Sequence, residues 1–274
     1  MRADGGRLGL RTGTLGLLLL ALVAIAAPWF AGDPLATDLD ARLDPPSLTH
    51  PLGRDALGRD VLARIASGAR ISLAVAGTVV AISLALGVGL GALAGWAGGW
   101  TDELLARLID VLLAFPGLLL AIALSAILGP TLPNVVLALS VLGWTGYARL
   151  TRAQVELLRA RDFVHAARAL GVRPSRIVVR HLLPLIAPLL LVQATFGLSG
   201  AILAEASLSF LGLGAPPPLP SWGAMLDEGR TFMLVAPHLV LAPGVALALT
   251  VTCLQLVGDG LRDALDVRAP GAQR

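Results

Sequence analysis

Side chains able to do covalent chemistry are scarce in this sequence. All 21 basic residues are Arg, and Lys is absent. A P-loop needs a Lys to reach the nucleotide phosphates, and a Schiff-base enzyme needs a Lys amine, so neither chemistry can be housed here. Cys253 is the single cysteine and lies in an apolar stretch, which leaves no internal disulfide and no thiolate zinc cluster. His50, His165, His181 and His238 are scattered, with no metal-ligand spacing such as HExxH. An intramembrane hydrolase or acyltransferase would need a nucleophile–base pair or metal ligands within the apolar stretches, and none is found. No catalytic, cofactor-binding or metal-binding residue is expected, and the chain reads as a non-enzyme.

The charged residues that remain are concentrated. Arg149, Arg152, Arg159, Arg161, Arg168, Arg173, Arg176 and Arg180 crowd one stretch that holds only Glu156 and Asp162 as acids. Its first half, from Arg149, reads as a helix in which Arg152 and Glu156 are placed for an i,i+4 pair. Gly171 is the expected helix stop, because Gly enters the left-handed conformation without strain. Pro174 then suits the first turn of a second short helix running towards His181. Such a helix–Gly–helix element, with small Ala at the tip and Arg at its borders, suits a docking surface. Glu205, within a long apolar run, reads as a helix-paired carboxylate or as a pathway ligand. Trp222, in a Pro-rich loop, reads as an outer-face contact or an interfacial anchor.

The elements that carry these residues are apolar. The chain has 274 residues, of which 56% are hydrophobic and 14% charged, with mean hydropathy +0.80. An ordinary soluble domain carries about 45–50% apolar and about 25% charged residues, and disorder requires low hydrophobicity. An all-α polytopic membrane protein is the expectation. A hydrocarbon core about 30 Å thick needs roughly 17–25 apolar helical residues. Six stretches qualify, near Thr14–Phe30, Arg70–Trp96, Asp110–Leu128, Pro133–Ala148, Leu185–Leu208 and Phe232–Val257. The first also resembles a signal peptide through Ala24-Ile25-Ala26, but it continues through Pro28-Trp29-Phe30 and is read as a retained anchor. Arg bias places the N-terminal tail, the Arg149–His181 stretch and the C-terminal tail in the cytoplasm, giving an N-in, C-in topology. A pI near 10.3 therefore reflects membrane orientation, and no nucleic-acid partner is expected. The outer loop from Ala31 to Ala69 contains an amphipathic pattern over Asp55–Ser67. There Leu57, Val61, Leu62 and Ile65 share one face while Arg59, Asp60 and Arg64 point away, as in an interfacial helix or a solvated linker. Gly87, Gly89 and Gly91 favour close helix packing in the second span.

The stretch His165-Ala166-Ala167-Arg168-Ala169-Leu170-Gly171, followed by Leu183-Pro184, resembles the EAA loop of ABC importer permeases. Both Ala, the Gly and the Leu-Pro fall at that pattern's offsets, while His165 stands in place of its Glu and His181 in place of its Ile. Further segments resemble the dipeptide, oligopeptide and nickel permease subfamily. They are His50-Pro51-Leu52-Gly53-Arg54-Asp55, Leu57-Gly58-Arg59-Asp60-Val61, Leu208-Ser209-Phe210-Leu211-Gly212, Ser221-Trp222-Gly223 and Gly258-Asp259-Gly260-Leu261-Arg262-Asp263.

That resemblance implies a type I ABC importer permease fold and a multi-pass protein of the bacterial plasma (inner) membrane. It implies three protein partners: a second homologous permease subunit, ATP-binding cassette ATPase subunits and an extracytoplasmic substrate-binding protein. Membrane lipid surrounds the assembly, and short peptides are the leading substrate, with nickel or another small solute behind. The organisation expected is an anchor and outer loop over 1–68, a permease core over 69–260 with its coupling loop at 149–184, and a tail over 261–274. The ATPase-coupling residues carried over are His165, Ala166, Ala167, Arg168, Gly171, Arg173, Leu183 and Pro184, with Arg161 beside them. The competing expectation is an ion-coupled secondary transporter or channel. Such proteins place ionisable groups at mid-membrane, where this sequence has almost none.

Overall fold

The computed structural model describes residues 2–30 and 32–266. The positions Arg268 and Arg274 of the expected tail lie outside the described residues. The chain is helical, and among the described residues the only β pairing is an isolated bridge between Arg54 and Asp60. The long elements are α1 (Arg2–Phe30), α2 (Val61–Ala97), α5 (Leu132–Arg159), α8 (Leu183–Phe210) and α10 (His238–Asp266). Between them lie α3 (Gly99–Leu113), α4 (Gly117–Leu128), α6 (Asp162–Ala169), α7 (Pro174–Ile177) and α9 (Trp222–Arg230). Among the described residues, four helical runs are long and apolar enough to cross a membrane: α1, α2, the Pro174–Phe210 run and α10. The α3–α4 pair makes a fifth if its two bent parts count as one span.

Helix α2 organises the rest. Its 37 residues, at 1.5 Å rise each, make a rod of about 56 Å, far longer than a bilayer core. Gly87, Gly91 and Gly95 form a seam at four-residue spacing against α5. A Cβ on each would come within 2.5 Å of Trp144 O, 2.4 Å of Ala148 O and 2.6 Å of Arg152 O, respectively. Residue numbers rise together on both sides, so α2 and α5 run parallel at a separation only glycine permits. Gly89 faces open space and takes no part. Helix α1 lies along α10, where Gly13 and Gly16 receive Cys253 and Leu256.

The structure corrects several expectations. No separate helix covers Asp55–Ser67: residues 55–60 form a turn, Asp60 caps the helix by accepting the Ala63 N–H at 2.8 Å, and α2 begins at Val61. The charges assigned to solvent are instead inside, with Arg64 2% and Arg59 8% exposed. Asp55 and Glu228 neutralise them, so the amphipathic pattern marks an internal ion cluster. The third span is not one straight helix from Asp110 to Leu128. It breaks at Ala114-Phe115-Pro116 and bends by 81°, because Pro116 cannot continue the helical hydrogen-bond ladder. The last long helix starts at His238, not Phe232; turns occupy the interval and Pro237 precedes the helix.

Candidate functional site

Two ends of the helix bundle carry the charged groups. At the first, the loop end, α2 and α10 begin and α8 ends. Asp55 Oδ1 accepts the backbone N–H groups of Leu57 and Arg59 at 2.8 and 2.9 Å, which fixes the turn. Asp55 Oδ2 accepts from Arg59 Nε at 2.6 Å and from Arg64 Nη1 at 2.5 Å. Both guanidinium groups continue to Glu228 on α9, at 2.9 and 2.7 Å. Two cations and two anions balance, and α9 is thereby tied to α2. Beside this cluster, His50 Nδ1 lies 2.7 Å from Asp60, while Arg54 donates to Asp38 at 2.8 Å.

Glu205 and Trp222 belong to this packing and not to an exposed outer face. Glu205 is 0% exposed and accepts from Ser72 Oγ on α2 and Ser209 Oγ on α8, each at 2.7 Å. It is the helix-paired carboxylate of the two readings. Trp222 is 1% exposed, and its indole N–H donates to Ile65 O at 3.0 Å. Neither an exposed contact nor an interfacial anchor describes it: the ring wedges α9 onto α2 beside Gly68. Sequence reading placed it in a Pro-rich loop and had no way to see that α9 folds back.

At the other end, α5, α6, α7 and α8 form an elbow. Helix α5 runs unbroken to Arg159, so the apolar Leu132–Ala148 segment and its polar extension are one rod. After a turn at Ala160, α6 covers Asp162–Ala169. Leu170 and Gly171 close it: Gly171 N–H donates to Arg168 O at 2.9 Å and Val172 N–H to Ala167 O at 3.0 Å. This is the Schellman pattern, with Gly171 at φ +75 and a packing contact between the flanking apolar residues. Ala167 and Val172 are the pair that packs on the core. A Cβ at Gly171 would meet nothing within 4 Å, so Gly is required there by backbone conformation alone.

Pro174 opens α7 as expected, but the second helix does not stop at His181. A wide turn over Val178–Leu182, closed by Leu183 N–H to Val178 O, joins α7 directly to α8. Pro184 follows at once. It has no N–H to return to the preceding turn, and wide turns of this kind absorb such breaks. Leu183 packs against the core while Pro184 is exposed.

The elbow's faces are distinct. Val164 and Ile177 are fully buried and hold it to the body. His165, Ala166, Arg168, Gly171 and Arg173 are exposed, and Leu170 is 83% exposed. Ala167 is half-buried against the core, so of the two neighbouring Ala only Ala166 presents itself outward. Arg168 stacks on Trp96 at 4.4 Å, and Arg159 donates to Gly95 O and Trp96 O at the last turn of α2. Arg152 grips Asp102 of α3 rather than Glu156; Arg149 is 3.9 Å from Asp110. Arg161, Arg173, Arg176 and Arg180 are exposed and enter no ion pair among the described residues. Mechanically, a surface pressed at the elbow is connected to α5, α8 and the tip of α2.

Comparison with known proteins bears on what presses there. Residues 87–269 match the family model of the binding-protein-dependent transport system inner membrane component. The glutathione transport system permease protein GsiD of Shigella dysenteriae serotype 1 is 45% identical over 262 residues, covering 95% of this chain and 86% of its own. GsiD proteins of Escherichia coli O6:K15:H31 and Escherichia coli O157:H7 show the same identity and coverage.

Proposed function

We propose, because this chain belongs to the family of binding-protein-dependent transport system inner membrane components, that it forms half of a translocation pathway for short peptides and that its elbow receives the ATPase. The chain is an ABC transporter permease of the peptide and nickel branch, a transport component of the inner membrane. An ion-coupled transporter acting without an ATPase is set aside by that membership. Glutathione, the solute in the relatives' name, is a tripeptide and supports the peptide assignment here.

In this reading α1, α2, the α3–α4 pair, α5, the α7–α8 run and α10 are six spans, with both termini in the cytoplasm. Residues 1–68, 69–260 and 261–274 are the anchor with its outer loop, the core and the tail. A second permease completes the pathway, and an external binding protein delivers solute at the loop end. The ATPase contacts His165, Ala166, Arg168, Gly171 and Arg173, while Ala167, Leu183 and Pro184 set the elbow's angle to the rods. No Lys is available for a P-loop, so energy enters from a partner and biases two packed arrangements of the helices.

One observation carries this proposal: the elbow exposes an apolar tip and unpaired Arg while being continuous with two membrane rods. The test is reconstitution with the partner permease, ATPases and binding protein in liposomes. Gly171→Pro removes the N–H that closes α6 and demands a negative φ where the backbone is at +75. ATP-driven tripeptide uptake should fall by about 5–150-fold, the range of typical coupling free energies, with the chain still in the membrane. Ala166→Trp should do the same by obstructing the docking face. Unchanged uptake in both variants would contradict the assignment.

A further inference from the structure

Helix α2 ends beside the elbow. An α-helix leaves its last four carbonyls without partners of their own, and here neighbouring groups answer them. Gly98 N–H returns to Ala94 O at 2.8 Å. Gly95 O and Trp96 O accept from Arg159 Nη1 at 3.1 and 2.9 Å, so the last residue of α5 caps α2. The cation also suits the negative end of the α2 dipole. It fits because Gly98, at φ +67, has no side chain: a Cβ there would lie 3.0 Å from Arg159 Nη1. The chain then turns through Gly98 and Gly99 into α3. In the first turn of α3, Asp102 Oδ2 accepts from Arg152 Nη2 at 2.7 Å. Both cations come from α5, which the glycine seam already joins to α2. At this end α2, α3 and α5 therefore meet as one body.

A contact from α6 reaches the same turn. Arg168, in the last turn of α6, holds its guanidinium carbon 4.4 Å from the centroid of the Trp96 ring. Trp96 is half-buried and packs against the core, so a push on the ring is a push on α2. Between Arg159 and Arg168 the chain turns at Ala160, where the angle of α6 to α5 is set. A cation over a ring face is attracted by the ring quadrupole and not through a directional bond. Such a contact persists while the two helices change angle, as a single hydrogen bond does not.

We propose that Trp96 is a positioning residue of the transport cycle: Arg168 passes a tilt of α6 to it, so that α2 and α3 follow the elbow in step with α5. The proposal rests on the reading that the elbow receives the ATPase. Trp96 meets neither solute nor ATPase and acts through Arg168.

Tryptophan is scarce enough to serve as the probe, with five in the chain. The full chain is labelled with 5-fluorotryptophan in lipid nanodiscs, and Trp96→Phe identifies the Trp96 resonance. Arg168→Ala should shift that resonance, and Arg161→Ala should not. With the partner permease and ATPases added, ATP should move the Trp96 resonance in the unsubstituted chain and leave it in place in Arg168→Ala. In the reconstituted importer, Trp96→Ala should lower the solute imported per ATP hydrolysed by about two- to fivefold, the factor one exposed cation–π contact is worth. The ATPases should bind it as tightly as before, and Trp96→Phe, which keeps a ring beneath the cation, should recover most of the loss. Trp96→Ala added to Arg168→Ala should cost little more than Arg168→Ala alone. Two losses that multiply, a resonance indifferent to Arg168→Ala, or a full import ratio in Trp96→Ala would each overturn the proposal. If Trp96→Ala does not assemble, the ATP-driven movement of the Trp96 resonance in Arg168→Ala decides in its place. ATPases that bind Ala166→Trp normally would sink the functional reading instead, whereas the Arg168–Trp96 pairing is read in the chain alone.

Discussion

The loop end and the elbow end of this chain use the same residue type in opposite ways. At the loop end, Arg59 and Arg64 are buried and neutralised by Asp55 and Glu228. At the elbow, Arg161, Arg173 and Arg176 are exposed and have no acidic partner among the described residues, and Leu170 is 83% exposed. A surface finished within its own chain has internal partners for its charges; one finished by another subunit does not. The loop end is thus a structural clamp, and in the proposed reading the elbow is a surface that another subunit completes.

The sharpest way to break this contrast is to remove one buried cation. Arg64→Ala leaves Asp55 and Glu228 with Arg59 as their one shared cation, and loss of one member of a buried pair costs up to about 3–5 kcal/mol. The purified chain should melt at markedly lower temperature; an unchanged melting point would mean the cluster is not a clamp. Next in size is Glu205→Ala, which removes one hydrogen bond linking α2 to α8 and one within α8. The interhelical bond to the carboxylate is worth about 1.5–3 kcal/mol, so thermal stability should fall by about that amount.

Smaller effects are expected at the elbow. Gly171→Ala places a Cβ in the left-handed conformation at a cost of about 1–2 kcal/mol, all of it from the backbone, since the space around it is open. Hydrogen exchange at Leu170–Val172 should quicken while α2 and α5 amides stay protected. Arg168→Ala forfeits the stacking on Trp96, about 0.5–1 kcal/mol for an exposed site. Smallest of all, Arg173→Ala with Arg176→Ala should move the melting point by less than about 0.5 kcal/mol in stability terms, yet reduce ATP-coupled uptake. If that pair destabilised the isolated chain as Arg64→Ala does, the contrast between the ends would be lost.

How far the sequence carries can be judged at the same two places. The elbow is legible because its determinants are local: Gly171 ends one helix and Pro174 begins the next. The four long apolar helices are legible because a run of about 17–25 mostly apolar residues admits few readings. The loop end is not, since Arg64 finds Glu228 across 164 residues, and periodicity within Asp55–Ser67 cannot show that a distant helix supplies the counter-charge. Arg152 makes the same point. Glu156 is its obvious helical neighbour, but Asp102 reaches it from 50 residues away once Gly91 and Gly95 draw α2 against α5. The sequence reads the third span as one helix over Asp110–Leu128, and the 81° bend falls at Pro116 within it.

Exposure of the elbow to the ATPase is the claim on which the account turns, and one labelling experiment reaches it directly. With Cys253 replaced by Ala, a cysteine at Ala166 is the chain's single thiol. A membrane-impermeant maleimide should label it in inside-out vesicles, fail to label it in intact cells, and be blocked when the ATPase subunits are bound. Labelling from outside intact cells, or labelling that bound ATPase leaves unchanged, would contradict it.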